Sequence, residues 1–396
     1  MPLAPAGLLG DLWRVHPVTS QSSRPSSTRP ARGGFSVDFE QAPLLVIWEV
    51  TRACALACQH CRADAIDRRD PRELTLEEGC RLLDRIQAMG TPIVVLTGGD
   101  PIQRDDLEEL IAYGKKIGLR MGTIPAGTPR LTRERLASLK AAGIDQVAFS
   151  IDAPTAERHD AFRNVPGSFD LTLRGARWAR ELDIPLQINT VLSRYNFHEF
   201  DELAALVESL DIVFWEVFFL VPTGRGTVLE GCTPQEYEAL FEKLHRLSKR
   251  APFMIKVTEG QHYRRYVAQQ QGAAAEGEHG GRAVERRPSG DARVIGTSSK
   301  VVNAGKGFCF VDHTGSICPS GFLPIVAGNV RTDDIVQVYR GHPLFRELRD
   351  SSRLKGVCGR CEYVEVCGGS RSRAYAVTGD YLASEPDCVL ALTSSA

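Results

Sequence analysis

The sequence predicts an α/β fold, a partial (β/α)6 barrel followed by a small cysteine-rich C-terminal domain. Short apolar, β-rich runs alternate with amphipathic stretches from residue 43 onward, and six of the eleven cysteines lie after residue 303. Buried strands separated by helices are typical of a parallel sheet. An open doubly wound sheet gives the same pattern. In either fold, ligands bind at the carboxyl ends of the strands.

Local signals place the individual elements. The apolar runs predict strands at 44–51, 92–99, 120–127, 146–152, 185–192 and 212–222. The first helix follows Thr75, with Glu78 completing a capping box and Gly90 ending the helix. A second helix ends at Gly143 in the same way, and a third is predicted around 234–250. Near the C-terminus, a hairpin is predicted with its turn at Gly315.

Changes in composition divide the chain into four predicted segments. Residues 1–42 resemble an unfolded tail, although their Arg, Ser and Pro content also resembles an organelle transit peptide. Residues 43–235 form the barrel, and 236–302 form a helical bridge and a mobile loop, with the loop at 270–299. Residues 303–396 are short, glycine-punctuated stretches, which we expect a metal centre to stabilise.

The overall composition excludes several classes of protein. Of the 396 residues, 43% are hydrophobic, which is enough for a sizeable core, and the net charge of -1 gives no general attraction to nucleic acid or anionic membranes. No apolar run reaches the roughly 20 residues of a membrane helix. The odd number of cysteines argues against a disulfide framework. We therefore expect a cytoplasmic protein whose clustered thiols bind metal.

Three cysteines follow the first predicted strand. In "TRACALACQHC", Cys54, Cys58 and Cys61 are separated by three and then two residues. Three thiolates on a 4Fe-4S cluster leave the fourth iron without a protein ligand, and an open position is typical of a catalytic metal centre. A zinc site with His60 as the fourth ligand is the alternative.

This "CxxxCxxC" pattern after a first barrel strand resembles the signature of the radical S-adenosylmethionine (SAM) superfamily. The resemblance implies that Cys54, Cys58 and Cys61 bind a 4Fe-4S cluster whose open iron chelates SAM. Reductive cleavage of SAM then gives methionine and a 5′-deoxyadenosyl radical. His60 stands where the family usually has an aromatic residue.

The resemblance also implies SAM contacts at the following strand ends. "GGDP" resembles the family's "GGEP" for the methionyl amino group, with Asp in place of Glu, although a Gly-Gly turn alone is usually plain punctuation. "FSID" supplies groups for the SAM carboxylate and ribose, or else caps a turn. An arginine in "HDAFRNVPGSF" is either a carboxylate clamp or a surface cation. "LVPTGRG" resembles a glycine-rich turn near the adenine. The predicted cofactor-binding residues are Gly98, Gly99, Asp100, Ser150, Asp152, Arg163 and Asn189.

Four cysteines near the C-terminus form a second predicted cluster. Cys358, Cys361, Cys367 and Cys388 are separated by two, five and twenty residues. Four thiols can ligate every iron of a second 4Fe-4S cluster, and a zinc ribbon is the alternative. The stretch resembles the SPASM or twitch auxiliary-cluster domain of radical SAM enzymes, in which such a cluster relays or accepts electrons.

The remaining cysteines have no settled partners. In full SPASM domains, cysteines near Cys309 and Cys318 ligate a further cluster, but the expected next ligand is Ser320. Six thiols cannot fully ligate two cubanes, so we expect one auxiliary cluster. Spare ligands, a packed pair and haem-contacting thiols remain open for Cys309 and Cys318. Cys80 and Cys232 are interpreted as packing residues.

Over roughly residues 43–392, "LTGGDP", "VPTGRG" and the "GGSRSRAYAVTGD" tail most resemble enzymes of the alternative haem pathway, such as the decarboxylase of iron-coproporphyrin. That resemblance implies a porphyrin substrate and a ferredoxin or flavodoxin as electron donor. Propionate-binding candidates, each also interpretable as an ordinary cation, are Arg264, Arg265, Arg371 and Arg373. The alternatives are a maturase acting on a peptide substrate and a non-enzymatic metal or redox-sensing protein.

Overall fold

The computed structural model describes residues 36–272 and 300–392. A ten-stranded sheet with the strand order β10-β9-β8-β1-β2-β3-β4-β5-β6-β7 lies at its centre. The strands are β1 Leu45–Thr51, β2 Ile93–Gly98, β3 Arg120–Thr123, β4 Gln146–Ser150, β5 Leu186–Leu192, β6 Phe214–Phe219, β7 Met254–Thr258, β8 Phe308–Val311, β9 Ser316–Cys318 and β10 Gly328–Asn329. Strands β1 to β7 are parallel in chain order. The predicted parallel α/β fold is therefore confirmed.

Helices connect the parallel strands and cover the sheet. They are α1 Leu76–Met89, α2 Leu107–Lys116, α3 Arg133–Ala141, α4 Ala156–Arg163, α5 Ser168–Glu181, α6 Phe200–Glu208, α7 Pro234–Ser248, α8 His262–Gln270, α9 Ile335–Gly341, α10 Pro343–Arg349, α11 Gly356–Arg360, α12 Arg371–Thr378 and α13 Val389–Leu392. Helix α1 has the predicted capping box between Thr75 and Glu78, and Gly90 ends it in the left-handed conformation. Over the described ranges, no helix is both long and apolar enough to cross a bilayer.

The C-terminal segment extends the barrel sheet. Strand β8 pairs in parallel with β1, Leu45 lying opposite Phe308, and β9 returns antiparallel to β8. Gly315 has a φ of 90° at the turn between β8 and β9, as the hairpin prediction requires. The segment therefore lies beside the strand that leads into the first cysteine cluster. The predicted boundary at residue 303 stays a prediction.

Two predicted segments fall largely on residues outside the described ranges. These are the N-terminal tail at 1–42 and the loop at 270–299. The structure describes residues 36–42 of the tail and residues 270–272 of the loop. Strands β7 and β10 were not predicted. Strand β7 adds a seventh parallel strand to the six expected from the apolar runs, and β10 pairs antiparallel with β9.

Candidate active site

The first cysteine cluster lies on a loop whose ends are pinned together at the carboxyl end of β1. The backbone N–H of Cys54 donates to the carbonyl oxygen of Ile66 at 2.8 Å, and the N–H of Ile66 donates to that of Arg52 at 3.0 Å. The N–H of Cys61 donates to the carbonyl oxygen of Cys58 at 3.3 Å. The three cysteines are therefore presented on one closed loop at the predicted edge of the sheet.

A second turn, after β6, packs against this cysteine loop. The N–H of Arg225 donates to the carbonyl oxygen of Cys61, and its Nε donates to that of Cys58, each at 3.0 Å. A Cβ at Gly224 would lie 2.5 Å from the carbonyl oxygens of Cys61 and Arg62, and φ there is 55°. The glycine is thus required by close backbone contact. Sequence reasoning singled out this "VPTGRG" turn but missed that Arg225 binds the cysteine loop.

The "GGD" turn after β2 also packs on the cysteine loop. A Cβ at Gly99 would lie 2.5 Å from the carbonyl oxygen of Ala53, and one at Gly98 would collide with that of Thr51. Both glycines therefore allow two loops to approach each other. Asp100 is fully buried and accepts hydrogen bonds from the Ala126 N–H at 3.1 Å and the Thr128 hydroxyl at 2.8 Å. The sequence did not predict this structural role of Asp100. The predicted contact of Asp100 with an ammonium group stays a prediction.

Arg163 lies beside the cysteine loop but is already paired. Its Nε donates to Asp152 Oδ2 at 2.8 Å, while Nη1 lies 3.7 Å from Cys58 Sγ. Burial acts to raise the pKa of Asp152, but the charge of Arg163, together with the Val191 N–H and other neighbours, outweighs burial and the pKa is lowered. The sequence did not predict this pair. Two nitrogens of the Arg163 guanidinium contact Asp152, and the role of Arg163 as a carboxylate clamp stays a prediction.

Two weaker candidates lie on adjacent strands. Ser150 on β4 is in register with Asn189 on β5, and the Asn189 side-chain oxygen accepts from the Gln187 amide at 2.6 Å. His60 stacks on Phe162 with 4.4 Å between ring centroids. Its flat ring therefore packs as an aromatic side chain would, and this explains the departure from the family pattern.

The chemistry of the three thiols fits a metal cluster. Burial, with smaller contributions from the nearby Asp100, Cys58 and Cys61, raises the pKa of Cys54 to about 12. A positively charged metal centre would stabilise the thiolates against these effects. The backbone N–H of Leu56 donates to Cys54 Sγ at 3.3 Å. In the described part of the chain, no group of three or more His, Cys, Asp or Glu side chains is placed to hold a single metal ion.

A cavity lies inside the barrel. Inward-facing residues of the strands line it, and residues around β8 close one side. Its aromatic lining consists of Phe214, Phe218, Phe308, Phe310 and Phe322, and its charged lining consists of Arg62, Lys256, Arg264, Glu216 and Glu259. Arg62 donates to Glu49 at 2.7 Å and lies over the Phe310 ring, while Lys256 donates to Glu216 at 2.9 Å.

Three of the four arginines that the sequence offers as propionate-binding candidates have partners within the protein. Arg265 is paired with Glu238, and the Arg371 guanidinium donates to backbone carbonyl oxygens of Tyr381 and Ala383. Arg373 is buried and pairs with Glu385 at 3.1 Å. Of the four candidates, Arg264 is the one that lines the barrel cavity.

The four C-terminal thiols share a second, smaller cavity. Its lining includes Cys358, Cys361, Cys367 and Cys388. The Gly369 N–H donates to Cys367 Sγ at 3.4 Å, and the Glu385 N–H donates to Cys358 Sγ at 3.3 Å. Burial raises the pKa of Cys367 to about 12. Four thiols that line one cavity, two of them with N–H donors to sulfur, fit an iron–sulfur cluster.

The other cysteines are placed elsewhere. Cys309 and Cys318 lie on β8 and β9, and both are buried. Burial raises the pKa of both thiols. Cys80 and Cys232 pack against the main hydrophobic core, as interpreted from their sequence context.

Comparisons with known proteins agree with this arrangement. Residues 48–207 match the model of the radical SAM superfamily. A protein of Methanosarcina barkeri named AdoMet-dependent heme synthase is 40% identical over 89% of this chain and 98% of its own length. One of the same name from Nitratidesulfovibrio vulgaris is 40% identical over 87% and 91%.

The fold comparison points the same way. The crystal structure of Streptococcus suis SuiB bound to S-adenosylmethionine matches with a TM-score of 0.68 and 16% identity, covering 88% of this chain and 78% of that one. The resemblance drawn from "CxxxCxxC" is confirmed, and the family implies a 4Fe-4S cluster and SAM as cofactors. The chain is therefore a radical SAM enzyme, a member of the radical SAM superfamily.

Proposed function

We propose that the enzyme converts an iron-coproporphyrin to haem by radical decarboxylation of propionate side chains. The observation that carries this proposal is the similarity, over almost the full length of both proteins, to relatives named AdoMet-dependent heme synthase. Each decarboxylation removes one hydrogen atom, one carbon dioxide and one electron from a propionate and leaves a vinyl group.

Residues at the mouth of the barrel would bind the cofactors. Cys54, Cys58 and Cys61 would ligate the 4Fe-4S cluster, and SAM would contact residues among Gly98, Gly99, Asp100, Ser150, Asp152, Arg163 and Asn189. When bound, the 4Fe-4S cluster and SAM together supply the deoxyadenosyl radical that takes a hydrogen atom from the substrate. Asp152 would fix the orientation of Arg163, which leaves Nη1 directed towards Cys58.

The barrel cavity would bind the porphyrin. Its aromatic and aliphatic lining suits a flat apolar macrocycle, and its cations suit propionates. Among the lining residues, Arg62, Lys256 and Arg264 outnumber the carboxylates Glu216 and Glu259. Burial raises the pKa of Glu259. The cavity would therefore offer both aromatic rings and cations to a macrocycle that carries propionates.

The four C-terminal thiols would bind an auxiliary 4Fe-4S cluster that accepts the electron leaving the substrate. A low-potential protein such as a ferredoxin or a flavodoxin would supply the electron that starts each turnover. Cys309 and Cys318 are not needed for one four-thiol cluster. They are proposed to be packing residues, because both are buried in the hairpin.

The decisive experiment is anaerobic reconstitution, reduction and incubation with SAM and iron-coproporphyrin. We expect carbon dioxide loss and vinyl formation in step with 5′-deoxyadenosine release, measured by mass spectrometry. Deoxyadenosine released while the porphyrin stays unchanged would refute the porphyrin assignment and favour a peptide maturase. No deoxyadenosine from protein with fully loaded clusters would favour a non-enzymatic role.

The substitution Arg264→Gln is expected to raise the KM for iron-coproporphyrin by about tenfold or more, because a hydrogen bond to a charged group contributes roughly 1.5–3 kcal/mol. Deoxyadenosine release without porphyrin should be unchanged, since the substitution lies outside the cysteine loop. Arg246→Gln, on the exposed side of α7, is the matched control. Equal KM values for the two variants would contradict a role for Arg264 in substrate binding.

A further inference from the structure

His262 lies in the cavity of the four C-terminal thiols, at the first position of α8. Its side chain is fully buried, and neither ring nitrogen has a hydrogen-bond partner in the described part of the chain. The rings of Tyr237 and Phe241 pack against it, with centroid distances of 4.7 and 4.8 Å. A buried polar group left unpaired loses the hydrogen bonds that it makes to water in the unfolded chain and destabilises the fold. This position therefore favours a partner that the polypeptide itself does not provide.

Neighbouring polar groups are committed to other contacts. Arg265, which also lines the cavity, donates to Glu238 and Gln269. The Glu385 carboxylate accepts from the backbone N–H of Ser370 and from Arg373. The cysteine sulfurs, and any cluster they bind, are acceptors that also face this cavity.

The wall that carries His262 separates the two cavities. Glu259 and Gln261, immediately before it, line the barrel cavity, whereas His262 lines the thiol cavity. Burial lowers the pKa of His262 to about 3, so the ring is neutral at physiological pH and carries one N–H. An N–H of His262 would therefore approach the cluster from the wall that faces the barrel cavity, where the substrate would bind.

We propose that His262 donates an N–H hydrogen bond to a sulfur of the auxiliary cluster and thereby raises its reduction potential. This inference rests on the auxiliary cluster of the proposed function. Hydrogen bonds to sulfur stabilise the more negative, reduced form of an iron–sulfur cluster. His262 is thus a positioning residue that makes the cluster a better acceptor for the electron released with carbon dioxide.

The test is a redox titration of the auxiliary cluster followed by electron paramagnetic resonance. The full-length variant with Cys54, Cys58 and Cys61 all changed to alanine serves as the parent, so that the remaining signal belongs to one cluster. Adding His262→Phe, which keeps an aromatic ring but lacks a donor, should shift the midpoint potential to more negative values. Adding His262→Gln, which keeps an N–H, should leave the potential closer to that of the parent.

Three outcomes would overturn the proposal. An unchanged potential in the His262→Phe variant would exclude the hydrogen bond. An equal shift in Phe241→Leu, which alters packing without removing a polar atom, would assign the effect to packing. A parent variant that binds no iron would remove the auxiliary cluster, and this inference with it. If His262→Phe takes up no iron, His262→Leu gives the same comparison.

Discussion

Replacing Cys58 with alanine is expected to abolish 5′-deoxyadenosine release from SAM and to lower the iron content by about four atoms per chain. Cys58 is the most buried of the three loop cysteines and the one that Arg163 contacts. Two remaining thiols would leave the cluster without the coordination that a single open iron requires. Iron analysis and chromatography of the reduced protein incubated with SAM measure both effects.

The matched control is Cys80→Ala. Cys80 lies on α1 and packs against the main core, away from both cysteine clusters in sequence. Its removal should leave iron content and deoxyadenosine release at wild-type levels. Deoxyadenosine formation at the normal rate by the Cys58→Ala variant would contradict the ligand assignment on which the mechanism depends.

Elements that depend on local signals were predictable. The capping box of Thr75 and Glu78 fixes the start of α1, and Gly90 fixes its end, whatever the helix packs against. The six apolar runs became β1 to β6 because parallel strands buried on both faces need continuous apolar residues. The cysteine loop was also predictable from a local signal, because its three thiols and their spacing lie within one short stretch of sequence.

Features that depend on neighbours distant in the chain were not predictable. The short strand β7, "MIKVT", carries a weak apolar signal, and its place beside β6 follows from the sheet. Nothing in the sequence of Phe308–Val311 indicates that it pairs with β1. Likewise, the partners of Arg163 and Arg225 lie on other loops, so motif position alone could not separate a ligand contact from a contact within the protein.

Arg373 is another residue whose partners the sequence did not reveal, and replacing it should have a large effect on stability. The Arg373→Met substitution should lower the free energy of unfolding by about 3–5 kcal/mol, because it breaks a buried ion pair and leaves the partner charges uncompensated. The guanidinium is 1% exposed and binds Glu385 and Asp387, each at 3.1 Å, and the carbonyl oxygen of Leu220. Denaturant unfolding monitored by circular dichroism measures the change.

The exposed Arg246→Met is the control, since its surface pair with Glu242 contributes less than about 1 kcal/mol. A stable Arg373→Met variant with a raised KM for porphyrin would instead make Arg373 a propionate ligand, as the sequence allowed.

The pH dependence of unfolding should also show whether Arg373 stabilises the fold through its buried ion pair or serves as a propionate ligand. Burial acts to raise the pKa of Glu385, but the charge of Arg373, together with the Ser370 N–H and other neighbours, outweighs burial, and the pKa lies below its ordinary value of 4.5. The stabilisation from this carboxylate is therefore complete above about pH 4.5 and is lost as the pH falls towards the lowered pKa. In Arg373→Met, burial acts with less opposition and the pKa of Glu385 rises. We therefore expect the variant to lose stability at a higher pH than the wild type does, and coincident acid unfolding profiles would exclude the buried pair as a source of stability.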